Sequence, residues 1–155
     1  MEKFITGVLT LNKAGATYED VVYDRRLMIR LSDSRELLIF DFADPISTEL
    51  QTDEIYAMVL VPFVVAVDIV SDSSLGELEI TTKSTNWRGI VIDPDWEAPK
   101  GAFRLTRSEL YEQRWALITT PSGNLLLNLA NIGVTLSPGT AIQWESTRLD
   151  LYAVV

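Results

Sequence analysis

The segment DPDWEAPKG, residues 93–101, carries the densest acidic chemistry of the chain, with Asp93, Asp95 and Glu97 alternating beside Trp96. Carboxylates at this spacing suit a hard cation such as calcium. They equally suit a sugar, which paired carboxylates can cleave while an aromatic ring stacks on it. The calcium-loop pattern is not met, and Asp-Pro is also ordinary turn chemistry, so a solvated surface loop is the plainer reading. With Pro94 and Pro99 beside it, Trp96 is expected in an exposed loop, the first choice for a ligand-facing ring.

Around this segment lie cations and further aromatic rings. Arg88, Lys100, Arg104, Arg107 and Arg114 fall near Trp87, Trp96 and Trp115, and YDRR spans Tyr23 to Arg26. Bases interleaved with aromatics on a β surface hold single-stranded nucleic acid by stacking and phosphate attraction. Glu97, Glu109 and Glu112 offset that field, however, and arginines beside acids commonly serve as ion-paired scaffold. Arg88 and Arg104 remain candidate ligand contacts.

What is missing narrows the chemistry further. The chain has no histidine and no cysteine, which removes the commonest general base, the best nucleophile, zinc-thiolate sites and disulfides. No GxSxG, GxxxxGK[ST] or GxGxxG pattern occurs, so nucleophile-elbow and phosphate-cradling readings have no support. No catalytic residue, metal or cofactor is assigned, and a non-catalytic protein is expected.

Charge points the same way. The net charge of -9 repels phosphate backbones, so general nucleic-acid binding is disfavoured. Residues 1–75 hold 13 acids and 6 bases, whereas residues 76–155 hold 9 and 7, so an anionic partner would have to dock on the second half. The acidic stretches Glu49–Glu54 and Ser71–Glu77 are solvated faces or docking sites for a basic partner protein. The longest continuous apolar run, Ile55–Val67, has 13 residues, well short of the roughly 20 needed to cross a bilayer. The start, MEKFITGVLTLN, lacks the apolar run of a secretory signal. A cytoplasmic protein that does not enter membranes is expected.

The elements that must position these residues are strands. Alternation and β-branched residues dominate, and no long stretch repeats at the helical period. Strands are predicted at Phe4–Leu11, Leu27–Ser32, Leu37–Ala43, Ala57–Val61, Phe63–Val70, Gly76–Lys83, Trp87–Ile92, Ala102–Leu105, Trp115–Thr120, Leu125–Asn131 and Ala141–Val155. Loops are predicted at SDSSLG, DPDWEAPKG and SPGT. Pro62 splits the most apolar run, and because proline cannot donate to a ladder, a bend, bulge or sheet edge is expected there. Trp115 reads as core. Trp144 shares a strand face with Ile142, and it and Phe63 are candidate interface residues.

The two halves echo one another. LLIFDFAD (Leu37–Asp44) matches LLLNLAN (Leu125–Asn131), with Asp41 facing Asn128 and Ala43 facing Ala130. TYEDVVYDRR lines up with TRSELYEQRW; each has threonine three residues before an acid, the capping-box pattern of a short helical turn. TGVLTLN resembles RGIVIDP, and FVVAVDIV resembles RLDLYAVV. The expected fold is all-β, mostly antiparallel, with at most short helical turns. It consists of two pseudo-repeated small β-barrel or sandwich units, residues 1–75 and 76–155, packed together.

The expected function is that of an acidic, β-rich binding or assembly module acting through protein–protein contacts, forming a homo-oligomer such as a homodimer. A carbohydrate- or calcium-binding module or hydrolase using Asp93, Asp95, Glu97 and Trp96 is the alternative. Single-stranded nucleic-acid binding by the second half ranks behind it.

Overall fold

The structure is a computed structural model that describes residues 3–70 and 85–155. It is nearly all β, with 59% of residues in strands and 4% in helix. The strands are β1 (Ile5–Ala14), β2 (Thr17–Tyr18), β3 (Val21–Val22), β4 (Arg25–Arg30), β5 (Glu36–Asp41), β6 (Ile55–Ile69), β7 (Thr85–Trp96), β8 (Leu105–Thr106), β9 (Trp115–Thr120), β10 (Gly123–Asn128) and β11 (Ala141–Val154). One short helix, α1 (Glu109–Glu112), and a 3-10 turn at Leu129–Asn131 complete the described elements. The predicted strand Gly76–Lys83 and the SDSSLG loop lie outside the described residues. No helix among the described residues is long and apolar enough to cross a membrane.

Five strands close a barrel in the order β11, β5, β4, β1, β6 and back to β11. Closure follows from alternation, because side chains two apart share a face and a closed sheet turns one face inward. Ile5 and Leu9 of β1, Leu27 and Ile29 of β4, Leu37 and Ile39 of β5, Met58 and Leu60 of β6, and Leu149 and Leu151 of β11 are all buried in one core cluster. Gly7 lies on the inward side of β1, where an added Cβ would sit 2.7 Å from the Arg30 carbonyl oxygen; glycine lets β1 and β4 approach that closely.

β6 and β11 form the longest ladder, from Ile142↔Ile69 to Val154↔Met58, and run through both parts of the molecule. Beyond the barrel, β11 pairs with β7, β7 with β9 and β9 with β10. β9 and β10 are buried on both faces: Ala116, Ile118, Leu125 and Leu127 belong to the first cluster, while Trp115, Leu117 and Leu126 join Phe4, Val59, Val61 and Trp96 in a second. The uninterrupted apolar lettering of these strands reflects burial on both sides. The strand bounds read from alternation at Trp115–Thr120 coincide with β9.

Two local expectations are corrected. β6 is one strand from Ile55 to Ile69, not two. Pro62 is accommodated by its partner: β11 shifts register between Ser146 and Leu149, and Leu149 lies opposite Pro62. TYEDVVYDRR forms a β-hairpin and not a helical turn, with Tyr18 paired to Val21 and positive φ at Glu19 (48°) and Asp20 (65°). Two central residues with φ above zero are the signature of a type I′ hairpin turn, which tertiary context selects here over the capping pattern. Its counterpart TRSELYEQRW does contain a helical turn, α1, capped by Ser108 without a side-chain bond.

Candidate functional site

Trp144 lies mid-ladder between two strands, opposite Trp87 of β7 and Val67 of β6. The two indoles are parallel, 1° apart in plane with centroids 6.1 Å apart, and both are buried. Neither indole Nε1 has a hydrogen-bond partner among the described residues. Trp144 forms one wall of an open cleft of about 620 Å³, whose other sides come from Phe63, Asp68, Asn86, Gln143 and Glu145. The outward positions of β6 supply Phe63 and Asp68, and the outward positions of β11 supply Gln143 and Glu145.

Phe63 is the unusual member. It is 52% exposed midway along β6, between the buried Pro62 and Val64. The Arg148 guanidinium lies 5.0 Å from the ring centroid and also forms an ion pair with Asp150 at 2.7 Å. Burial holds the Asp150 carboxyl above its ordinary value despite that arginine, because Arg148 is itself open to water. Arg88 is half-buried, its Nη2 3.5 Å from Oε1 of Gln143. Phe63 and Trp144, named separately from the sequence, are therefore neighbours around one cleft, which Arg88 does not line.

The acidic segment is arranged differently from the expectation. β7 continues through Pro94 to Trp96, with register shifts between Val91 and Asp93 and again before Trp96. Those shifts set Trp96 opposite Trp115, only 5% exposed and edge-on to Phe4 at 6.1 Å. The expectation of an exposed, ligand-facing Trp96 is thus corrected: the ring is core. Asp93 accepts a bond from the Asp95 backbone N–H at 2.9 Å, a local turn. Asp95 accepts from Arg114 at 2.8 Å, both side chains being largely exposed, while Glu97 is exposed. A groove of about 460 Å³ lies here, bounded by Asp95, Glu97, Lys100, Tyr111 and Arg114 with an edge of Trp96. Among the described residues, no three carboxylates converge as a metal-binding group. Arg104 is exposed and lines neither the cleft nor the groove; its backbone N–H bonds the Val154 carbonyl at 2.9 Å.

A polar network that the sequence reading did not single out lies at the mouth of the barrel. Alternation along β5 turns Leu37, Ile39 and then Asp41 inward, leaving a carboxylate fully buried. Arg107 meets it in an ion pair at 2.8 Å and donates to the carbonyls of Leu151 at 2.9 Å, Ala43 at 3.0 Å and Phe42. The guanidinium also covers the Phe42 ring at 4.3 Å. Ser47 donates through its backbone N–H and hydroxyl to the second Asp41 oxygen. The signal available in the sequence was an acid on the inward face of LLIFDFAD. Arginine is the residue suited to such a site, since its planar fork serves several acceptors at once.

The fold and its surfaces define an all-β protein built round a closed five-stranded barrel, with an aromatic-lined cleft beside the barrel's longest ladder. No protein-family model matches the chain, and no curated protein is similar to it.

Proposed function

We propose that the protein is a non-catalytic, acidic binding or assembly module that recognises a partner protein through the cleft beside Phe63 and Trp144. The carrying observation is Phe63, a large apolar ring left half in water between the buried Pro62 and Val64 and opening onto the cleft. A ring placed beside a buried indole and ringed by Asp68, Glu145 and two amides resembles the aromatic core and polar rim of an interface. The acids of the rim and the net charge of -9 favour a partner with a basic surface. The buried Trp96 and the Asp95–Arg114 pair weigh against a hydrolase or sugar site in the acidic segment.

The two-unit architecture belongs to the same proposal. In the first half, β1 pairs with β4 and β6, and β4 with β5; in the second, β7 pairs with β9 and β11, and β9 with β10. The shared pairing pattern supports a duplicated unit whose last strands, β6 and β11, join back to back. Self-association and a cytoplasmic address complete the reading, the latter fitting a chain with no cysteine.

The test compares partner capture by the full chain with capture by Phe63→Glu, alongside titration of calcium and simple sugars followed by tryptophan fluorescence and melting temperature. The proposal expects a stoichiometric partner lost in Phe63→Glu, with melting temperature unmoved by either ligand. A ligand-dependent rise in melting temperature with unchanged capture would overturn it.

A further inference from the structure

The β2–β3 hairpin stands apart from the main sheet as a two-stranded sheet of its own. It continues the β1–β4 ladder beyond its last pair, Ala14↔Arg25, and is tied at its base by Gly15 N–H to the Asp24 carbonyl at 2.9 Å and Ala16 N–H to the Asp24 carboxylate at 2.8 Å. Tyr18, Val21 and Tyr23 on this arm are 65%, 50% and 48% exposed. Three large apolar side chains on one small projecting element form a concentrated patch, whereas single exposed apolar residues are ordinary. The tip is acidic, Glu19 and Asp20, and neither forms an ion pair among the described residues.

At the opposite end of the same ladder lies a niche of about 350 Å³ lined by Thr6, Gly7, Val8, Arg30, Leu31 and Ile55. Ile55 is 70% exposed, the most open large apolar side chain among the described residues. Arg30 is the niche's charged group; it is exposed, lies across the ladder from Glu36 and forms no ion pair among the described residues. The niche therefore offers an apolar floor and one free cation, and the arm offers apolar rings and two free anions.

These surfaces cannot meet within one molecule. Val8 and Ala14 bracket about 20 Å of paired strand at roughly 3.3 Å per residue, and the arm reaches further away along the same direction. We propose that the arm of one copy seats in the niche of a second copy, Tyr18 and Val21 against Ile55 and Val8, with Glu19 and Asp20 facing Arg30. The inference rests on the assembly part of the proposed function and uses a surface separate from the Phe63 cleft. One such contact leaves a free arm and a free niche, so copies add head to tail in rings or filaments, whereas reciprocal seating about a two-fold axis closes a dimer. One tyrosine, at about 150–250 Å², and a few aliphatic side chains place it at the small end of interfaces, so assembly is weak and concentration-dependent.

The test uses Tyr18→Asp, which disables the arm, and Ile55→Asp, which disables the niche; both sites are exposed, and circular dichroism checks that each variant folds. Sedimentation velocity from about 10 µM to about 1 mM spans the weak affinities expected of so small a contact. The parent chain should associate with concentration, to a dimer or beyond it, each variant alone should stay monomeric, and an equimolar mixture should give one-to-one dimers and nothing larger. Arg30→Glu alone should weaken assembly at least about tenfold, and adding Glu19→Arg with Asp20→Arg should restore it. A parent that stays monomeric throughout, a mixture that stays monomeric, or no rescue by the charge swap would overturn the inference. Partner capture through Phe63 should persist in Tyr18→Asp, so failure here is distinguishable from failure of the cleft.

Discussion

Replacing Arg107 by methionine keeps most of the side chain's apolar stem and removes its guanidinium. Asp41, fully buried, then keeps only its two bonds from Ser47. The Leu151 carbonyl also loses its donor from Arg107. Breaking a buried ion pair from one side costs about 3–5 kcal/mol, mostly the penalty of an uncompensated charge. The carbonyls of Phe42 and Ala43 add little because water can reach those residues. For a chain of this size about 2–4 °C of melting temperature accompanies each kcal/mol, so Arg107→Met should melt about 10–15 °C lower. Urea unfolding followed by the fluorescence of the four tryptophans measures the loss. Asp41→Asn measured singly and with Arg107→Met completes a cycle whose coupling should exceed about 2 kcal/mol. A loss under about 1 kcal/mol, or strict additivity in the double variant, would refute the claim that the pair is dry and straps the barrel mouth.

Two further predictions concern stability. The folded Asp150 ionises above its unfolded value of 3.8 because burial disfavours the carboxylate. Its contribution is therefore full below that value and lost as pH rises through the folded pKa, so Asp150→Asn should remove the fall in melting temperature that sets in as pH rises above 3.8. A steeper fall in the variant would contradict this. Trp115 donates from Nε1 to the Leu110 carbonyl at 2.9 Å, whereas the Trp87 Nε1 has no partner among the described residues. Trp115→Phe should accordingly cost about 1 kcal/mol more than Trp87→Phe in denaturant titration, and equal losses would contradict the bonding pattern.

Local alternation made much of the fold legible before any coordinates. The bounds of β9 are those read from WALITT, and β4, β5 and β11 lie within a few residues of their predicted limits. Partner choice was not legible, since alternation says which face is buried and not which strand lies alongside; the closure of β11 onto β5 and β6 depends on contacts between distant residues. The prolines misled locally. Pro94 suggested a loop, yet bulges in β7 absorb it and carry Trp96 into the core. Asp41 and Arg107 are 66 residues apart, so only the inward acid of β5 hinted at the buried pair. Phe63 and Trp144 could be named from residue type and strand pattern, but the register that brings them to one cleft is a property of the long β6–β11 ladder.

The most direct measurement of the central claim is photo-crosslinking from a reactive side chain installed at position 63, compared with one at position 100 in the second groove. Adducts to a single polypeptide from position 63, suppressed by excess unmodified chain and absent from position 100, are the predicted result. Adducts from position 100 with none from position 63 would contradict recognition through the cleft between β6 and β11.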